Sequence, residues 1–142
     1  MAATPREAAA GSDIICTTTA SVEPLLHDLD VSDGAHLNLV GSSYLRPREV
    51  DDALVARARF FADHRSSVLN QGAELRSAIL AGLVDEHHVL AEIGEVLSGA
   101  ALGRTSAHEV TIYKSLGNIV SDLASAELVA ALAEAPTISL DD

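Results

Sequence analysis

The apolar residues of this chain come mainly in short runs that end in small polar residues, a pattern of strands more than of long amphipathic helices. "DIICTTT" (13–19), "AHLNLVG" (35–41), "RFFADH" (59–64) and the start of "EVTIYKSLG" (109–117) read as strands. The first passes from apolar residues straight into threonines with no charge between. That predicts a strand buried on both faces and ending at a polar edge. "TPREAAAG" opens a helix with Thr4 as N-cap and Pro5 at the first helical position, and Gly11 stops it after two turns. Between the second and third strands, Val50, Leu54 and Ala58 share one helical face, so strand, helix and strand follow in the order of a parallel crossover. "AELRSAILAGLV" reads as a helix, and so does "HHVLAEIGEVLSG", ending at Gly99. In "NIVSDLASAELVAALAEA", Asn118 is placed to cap a helix whose Ile119, Leu123, Ala126 and Ala130 form one face. The expected fold class is α/β, a parallel sheet with flanking helices, followed by an acidic, flexible tail at 136–142.

Several strands finish in small residues: Thr17 to Ser21, Gly41 to Ser43, and Ser115 to Gly117. Small residues at consecutive strand ends let a ligand approach the backbone, and in open α/β sheets ligands sit at the carboxyl ends of the strands. Ordinary turns would look the same. A nucleotide is the usual occupant, yet the 142 residues contain no GxGxxG.

Charge and composition narrow the partners. Nine basic residues against 21 acidic ones give a formal charge of −12, which argues against nucleic acid and against an anionic membrane surface. No apolar run approaches the ~20 residues that span a bilayer, and "MAATPREAAAG" has neither the basic start nor the apolar core of a secretory signal. A cytoplasmic protein is expected. The single cysteine, Cys16, lies in an apolar run and reads as a small buried hydrophobe. "DEHHV" brings Asp85, His87 and His88 together. Adjacent helical histidines diverge by ~100° and no second cluster completes a ligand set, so no metal is expected there. Asp85 and Glu86 read as acidic residues of a helix's first turn. His36 reads as a hydrogen-bonded structural histidine, and "RPREVDD" as a solvated charged face.

The segments "GSDIICTTTASVEPLL", "GAHLNLVGSSYLRPREVDDALVARARFFAD" and "LAEIGEVLSGAALGRTSAHEVTIYKSLGNIVSDLASAELV" together resemble the ornithine cyclodeaminase/mu-crystallin family from about Pro5 to Val129. The resemblance implies an NAD- or NADP-dependent oxidoreductase, homodimeric at full length, that transfers hydride at a carbon–nitrogen centre of a small amino acid or cyclic imine. It also implies that residues 1–135 are the carboxyl-terminal part of a Rossmann domain, a Rossmann-like parallel sheet with flanking helices plus a closing helix. The first βαβ unit of that domain, with its GxGxxG loop, is absent, as are the family's N-terminal substrate residues. The chain then looks like the carboxyl half of such an enzyme, not expected to be active alone and open to association with a separate N-terminal half. A non-catalytic remnant and a small-molecule-binding protein are the alternatives.

By the same resemblance, Thr19, Ala20 and Ser21 line the cofactor near the nicotinamide-side ribose, Val40 is a second contact and Ser115 in "KSLG" a third. Packing roles stay open, since a buried threonine can cap its own strand and Val40 can be core. Ser43, which the resemblance also counts among the cofactor-binding residues, stands where ornithine cyclodeaminases and some alanine dehydrogenases of the family carry an aspartate. A serine with no adjacent base is a poor proton acceptor, which shifts the expected chemistry from cyclodeamination towards a mu-crystallin-type ketimine reductase or a dehydrogenase. No residue is assigned as catalytic with certainty.

Overall fold

A computed structural model describes residues 2–41, 46 and 48–134. The strands are β1 (Ile14–Thr17), β2 (His36–Leu39), β3 (Arg59–Ala62), β4 (Val89–Glu92) and β5 (Thr111–Lys114). They form one sheet in the order β1-β2-β5-β3-β4 with every pairing parallel. The last strand thus enters the middle of the sheet, and all five carboxyl ends lie along one edge.

Among the described residues six α-helices accompany the strands: α1 (Pro5–Ala9), α2 (Asp52–Arg57), α3 (Arg65–Gln71), α4 (Ala73–Leu80), α5 (Ile93–Leu97) and α6 (Ile119–Glu134). The helix ends follow the local chemistry. Thr4 accepts the Glu7 N–H at the start of α1, and Asp51 accepts the Leu54 N–H at the start of α2. Asn118 Oδ1 accepts the Ser121 N–H at 2.9 Å and so caps α6. The predicted face of Val50, Leu54 and Ala58 is fully buried.

Register and side-chain alternation divide the sheet into two unlike faces. Ile15, Leu37, Ile112 and Phe60 sit side by side on one face, and Thr17, Leu39, Lys114 and Ala62 on the same face one pleat further on. All eight are buried. The opposite face carries Ile14, His36, Thr111 and Arg59, then Cys16, Asn38, Tyr113 and Phe61. It is covered over β3 but open over β1, where Ile14 is 67% exposed.

Three expectations are corrected here. The run around Cys16 is not buried on both faces: β1 is an edge strand with one open face, and the Cys16 thiol is exposed on it. "HHVLAEIGEVLSG" is not one helix. Asp85 caps a single 3-10 turn, Glu86–His88, and β4 follows, with Val89 and Ala91 turned inward beside Phe60 and Phe61 before α5 begins. The face of α6 expected to be apolar core covers nothing among the described residues: Ile119 is 81% and Leu123 61% exposed. The predicted tail at 136–142 lies outside the described residues.

Candidate functional site at the carboxyl edge of the sheet

Pairing puts the ends of the strands level with one another. Thr17 O accepts the N–H groups of Val40 and Gly41, Leu39 O accepts that of Ser115, and Lys114 O accepts that of Asp63. Thr19, Ala20, Ser21, Val40 and Ser115 therefore come to a single edge. Ser43 lies outside the described residues. Val40 is not core: it is 46% exposed although Leu39 before it is fully buried.

The edge is held from beneath by acidic groups the sequence reading missed. Glu49, read as part of a solvated face, has no exposed surface. Its Oε1 accepts the Thr19 N–H at 2.6 Å and the Thr19 hydroxyl at 2.9 Å. Its Oε2 accepts the Thr17 hydroxyl at 2.7 Å and the Gly41 N–H at 3.1 Å. The expectation failed because a carboxylate this well supplied with donors can be buried where an unpaired one could not.

Behind Glu49 lies an ion pair. Lys114 Nζ stands 3.3 Å from Glu74 Oε2, both side chains fully buried, and Glu74 Oε1 accepts the Glu49 N–H at 3.3 Å. Lys114 lies two residues after Ile112 on the core face of β5. Strand alternation alone therefore places its charge inside and requires a buried partner.

A second carboxylate organises the "KSLG" turn. Asp63 Oδ2 accepts the N–H groups of Leu116 and Gly117, each at 2.8 Å, and the Ser115 hydroxyl at 3.3 Å. The hydroxyl hydrogens of Thr19 and Ser115 are thus directed to carboxylates, and that of Ser21 to Glu23 O at 2.7 Å. Thr19 Oγ1 also accepts the Ser21 N–H and Ser115 Oγ the Gly117 N–H, each at 3.3 Å, which leaves each hydroxyl oxygen one lone pair for a ligand's hydroxyl or amide N–H. Burial, with the charge of Asp63, raises the Tyr113 phenol above its ordinary range, against the opposing effect of a hydrogen bond with Ser115.

The "GAH" and "GRT" motifs serve the opposite end of the sheet. Arg104 donates to the carbonyls of Gly34 at 2.6 Å and Glu109 at 2.7 Å, and to the Thr111 hydroxyl at 3.0 Å. Gly34 has φ +83°, and a Cβ there would press on Ala107 O. His36 Nδ1 lies 2.7 Å from the Thr111 hydroxyl, so the histidine is hydrogen-bonded as expected. Burial lowers its pKa below 6.5. A hydrogen bond with Asn38 opposes the shift, and the charge of Arg104 adds to it. The unfolded chain then binds the proton more readily than the folded one. Stability contributed at His36 is complete above about pH 6.5 and is lost as the pH falls towards the lower folded value. Urea melts at pH 7.5 and 5.5 should show this loss, and His36→Gln should reduce the difference between the two.

His88, from the "DEHHV" pair, bonds the Val55 carbonyl at 2.8 Å through Nε2 and stacks obliquely on Phe60. Among the described residues no group of three or more His, Cys, Asp or Glu is placed to hold a metal. None of the described helices is long and apolar enough to cross a membrane.

A parallel sheet whose carboxyl ends form a small-residue edge is the architecture of a Rossmann-like, doubly wound α/β domain. The chain belongs to the ornithine cyclodeaminase/mu-crystallin family, whose model matches residues 1–135. It is 39% identical over 124 residues to the ketimine reductase mu-crystallin of Mus musculus, a stretch that covers 87% of this chain and 37% of that protein. Among solved structures, the Δ1-pyrroline-2-carboxylate reductase of Thermococcus litoralis, in complex with NADH and L-proline, superposes with a TM-score of 0.85 at 30% identity. That match covers 96% of this chain and 43% of the other. The iminosuccinate reductase of Paracoccus denitrificans, in complex with NAD+, gives 0.82 at 36% identity, covering 94% and 41%. The chain thus spans about two fifths of the length of these relatives.

Proposed function

We propose that this chain forms the nicotinamide-side part of an NAD(P)-dependent oxidoreductase acting at a carbon–nitrogen centre of a small amino acid or cyclic imine. The observation that carries the reading is the level edge of Thr19, Ala20, Ser21, Val40 and Ser115, in a chain whose solved relatives hold NADH or NAD+. The residues fit one half of a dinucleotide. Their outward acceptors suit ribose hydroxyls and a carboxamide N–H, and the exposed Val40 side chain suits the flat face of a ring. They do not fit the pyrophosphate, because the sequence has no glycine-rich loop to cradle it.

When bound, the nicotinamide gives or accepts a hydride. The chain's own residues bind and orient. Among the described residues of this edge, Glu49 and Asp63 have their carboxylates committed to protein donors, so neither is offered as a general base. With Ser43 at the position of the family's aspartate, imine reduction or amino-acid dehydrogenation is favoured over cyclodeamination.

The reading extends to partners. Nothing among the described residues pairs with the outer side of β1, and a groove of about 360 Å³ runs beside it, lined by Pro5, Ala8, Ile14 and Cys16 among others. There we place a segment supplying the missing βαβ unit, covalently attached or as a separate chain, in an assembly that dimerises as a whole. The domain is taken as 1–135 with 136–142 as its tail. An exposed, unpaired thiol suits the reducing cytoplasm.

Thermal melts with and without millimolar NADH or NADPH test the reading. A ligand that binds only the folded state adds about 2.7 kcal/mol at a hundred times its dissociation constant, so the midpoint should rise with one of the two. A cooperative melt unmoved by both would reject dinucleotide binding by this chain.

A further inference from the structure

We propose that Glu49 is a positioning residue of the dinucleotide edge: it touches no ligand, but its buried carboxylate sets the conformation of the two strand ends that would receive one. This rests on the reading of the edge given above and adds to it a residue that lies beneath the binding surface.

The geometry is specific. Each carboxylate oxygen takes one hydroxyl and one backbone N–H, and the four donors come from two neighbouring strand ends, Thr17 at the end of β1 with Thr19 just beyond it, and Gly41 after β2. Thr17 O also accepts the Gly41 N–H at 3.2 Å, so the two ends are tied once directly and again through Glu49. The chain beyond β1 passes so close to β2 that a Cβ on Gly41 would overlap Thr19 backbone and the Glu49 carboxylate. Glu49 itself is anchored from the core side through its N–H on Glu74, which pairs with Lys114 of β5. One buried chain of contacts therefore runs from the middle of the sheet to Thr19, whose hydroxyl it orients.

A glutamine at this position has the right length and the wrong chemistry. Its amide NH2 must face either the Thr19 N–H or the Gly41 N–H, and two donors cannot bond each other. One strand end should then come loose while the core stays packed. A purely structural role would instead lower stability everywhere.

The test compares the full chain with Glu49→Gln by amide hydrogen exchange and by fluorescence titration with NADH and NADPH. Exchange at whichever of Thr19 and Gly41 faces the amide NH2 should quicken by about tenfold or more, the loss of a hydrogen bond to a charged acceptor, while Leu37 and Ile112 amides stay within about twofold. The affinity for the bound dinucleotide should fall by a similar factor. Unchanged affinity with unchanged Thr19 and Gly41 exchange would overturn the proposal, as would equal acceleration at all four amides. If the parent chain binds neither dinucleotide, the reading of the edge fails on its own. The assignment of Glu49 as the residue that fixes the two strand ends is then decided by exchange at Thr19 and Gly41. If Glu49→Gln does not fold, Thr17→Val, which removes only the 2.7 Å hydroxyl donor, is measured the same way. It should quicken Gly41 and Thr19 ahead of the core amides, and no difference would overturn the assignment.

Discussion

Lys114→Met should lower the stability of this chain by about 3–5 kcal/mol, because it removes the cation 3.3 Å from a fully buried Glu74 carboxylate. Domains of this size have only about 5–15 kcal/mol in total, so the melting midpoint should fall by roughly 10–20 °C or the chain should fail to fold at 37 °C. The methionine fills nearly the same volume, so cavity formation contributes little. Adding Glu74→Gln should recover much of the loss: the charge is gone, while the glutamine carbonyl can still accept the Glu49 N–H. Urea denaturation of the two single variants and the double variant would give the coupling directly, and additive losses would show that the pair does not act as a pair.

Gly41→Ala should be of similar size for a different reason. At this position a methyl group meets the Thr19 N and O atoms and the Glu49 carboxylate. Backbone atoms cannot move aside as a flexible side chain does, and both strand ends must shift. A loss of about 3 kcal/mol or more is expected, at the upper end of the usual cost of overpacking. The damage should fall on the same edge: NADH titration of whatever folded variant remains should show weaker binding, and circular dichroism should show the lower midpoint. Gly94→Ala makes the comparison, since a Cβ there meets nothing within 4 Å and should change neither reading.

The strands that were legible in the sequence were those whose apolar runs were bounded by turns. β1, β2, β3 and β5 all fall inside the predicted segments, and so do the caps Thr4 and Asn118. β4 was not, because "VLAE" is four residues long and merges without a break into the helical "IGEVL". Only the alternation of Val89 and Ala91 marked it. The exposure of Cys16 and of α6 was hidden for another reason. Sequence patterning says which faces are apolar, and says nothing about what is present to cover them. The carboxylates under the site were partly readable. The inward position of Lys114 follows from Ile112 by alternation. The burial of Glu49 depends on donors from residues up to 32 positions away, which no local pattern reveals.

What emerges is an edge whose visible residues are small and whose orientation is set by acidic groups below it. Thr19 is fixed by Glu49, and the "KSLG" turn by Asp63, so the acceptors that face outward are arranged before any ligand arrives. Preorganisation of this kind reduces the ordering cost of binding. It is consistent with a chain that carries part of a dinucleotide site and relies on other residues for the pyrophosphate.

The most direct test is a two-dimensional 15N–1H NMR titration of the chain with NADH and then NADPH. Shifts concentrated at Thr19, Ala20, Ser21, Val40 and Ser115, saturating with one dinucleotide, are the predicted result. A saturating titration that moves other amides, such as those of the apolar trough lined by Ile14, Phe61, Ile93 and Val96, and leaves the strand ends unmoved would contradict it.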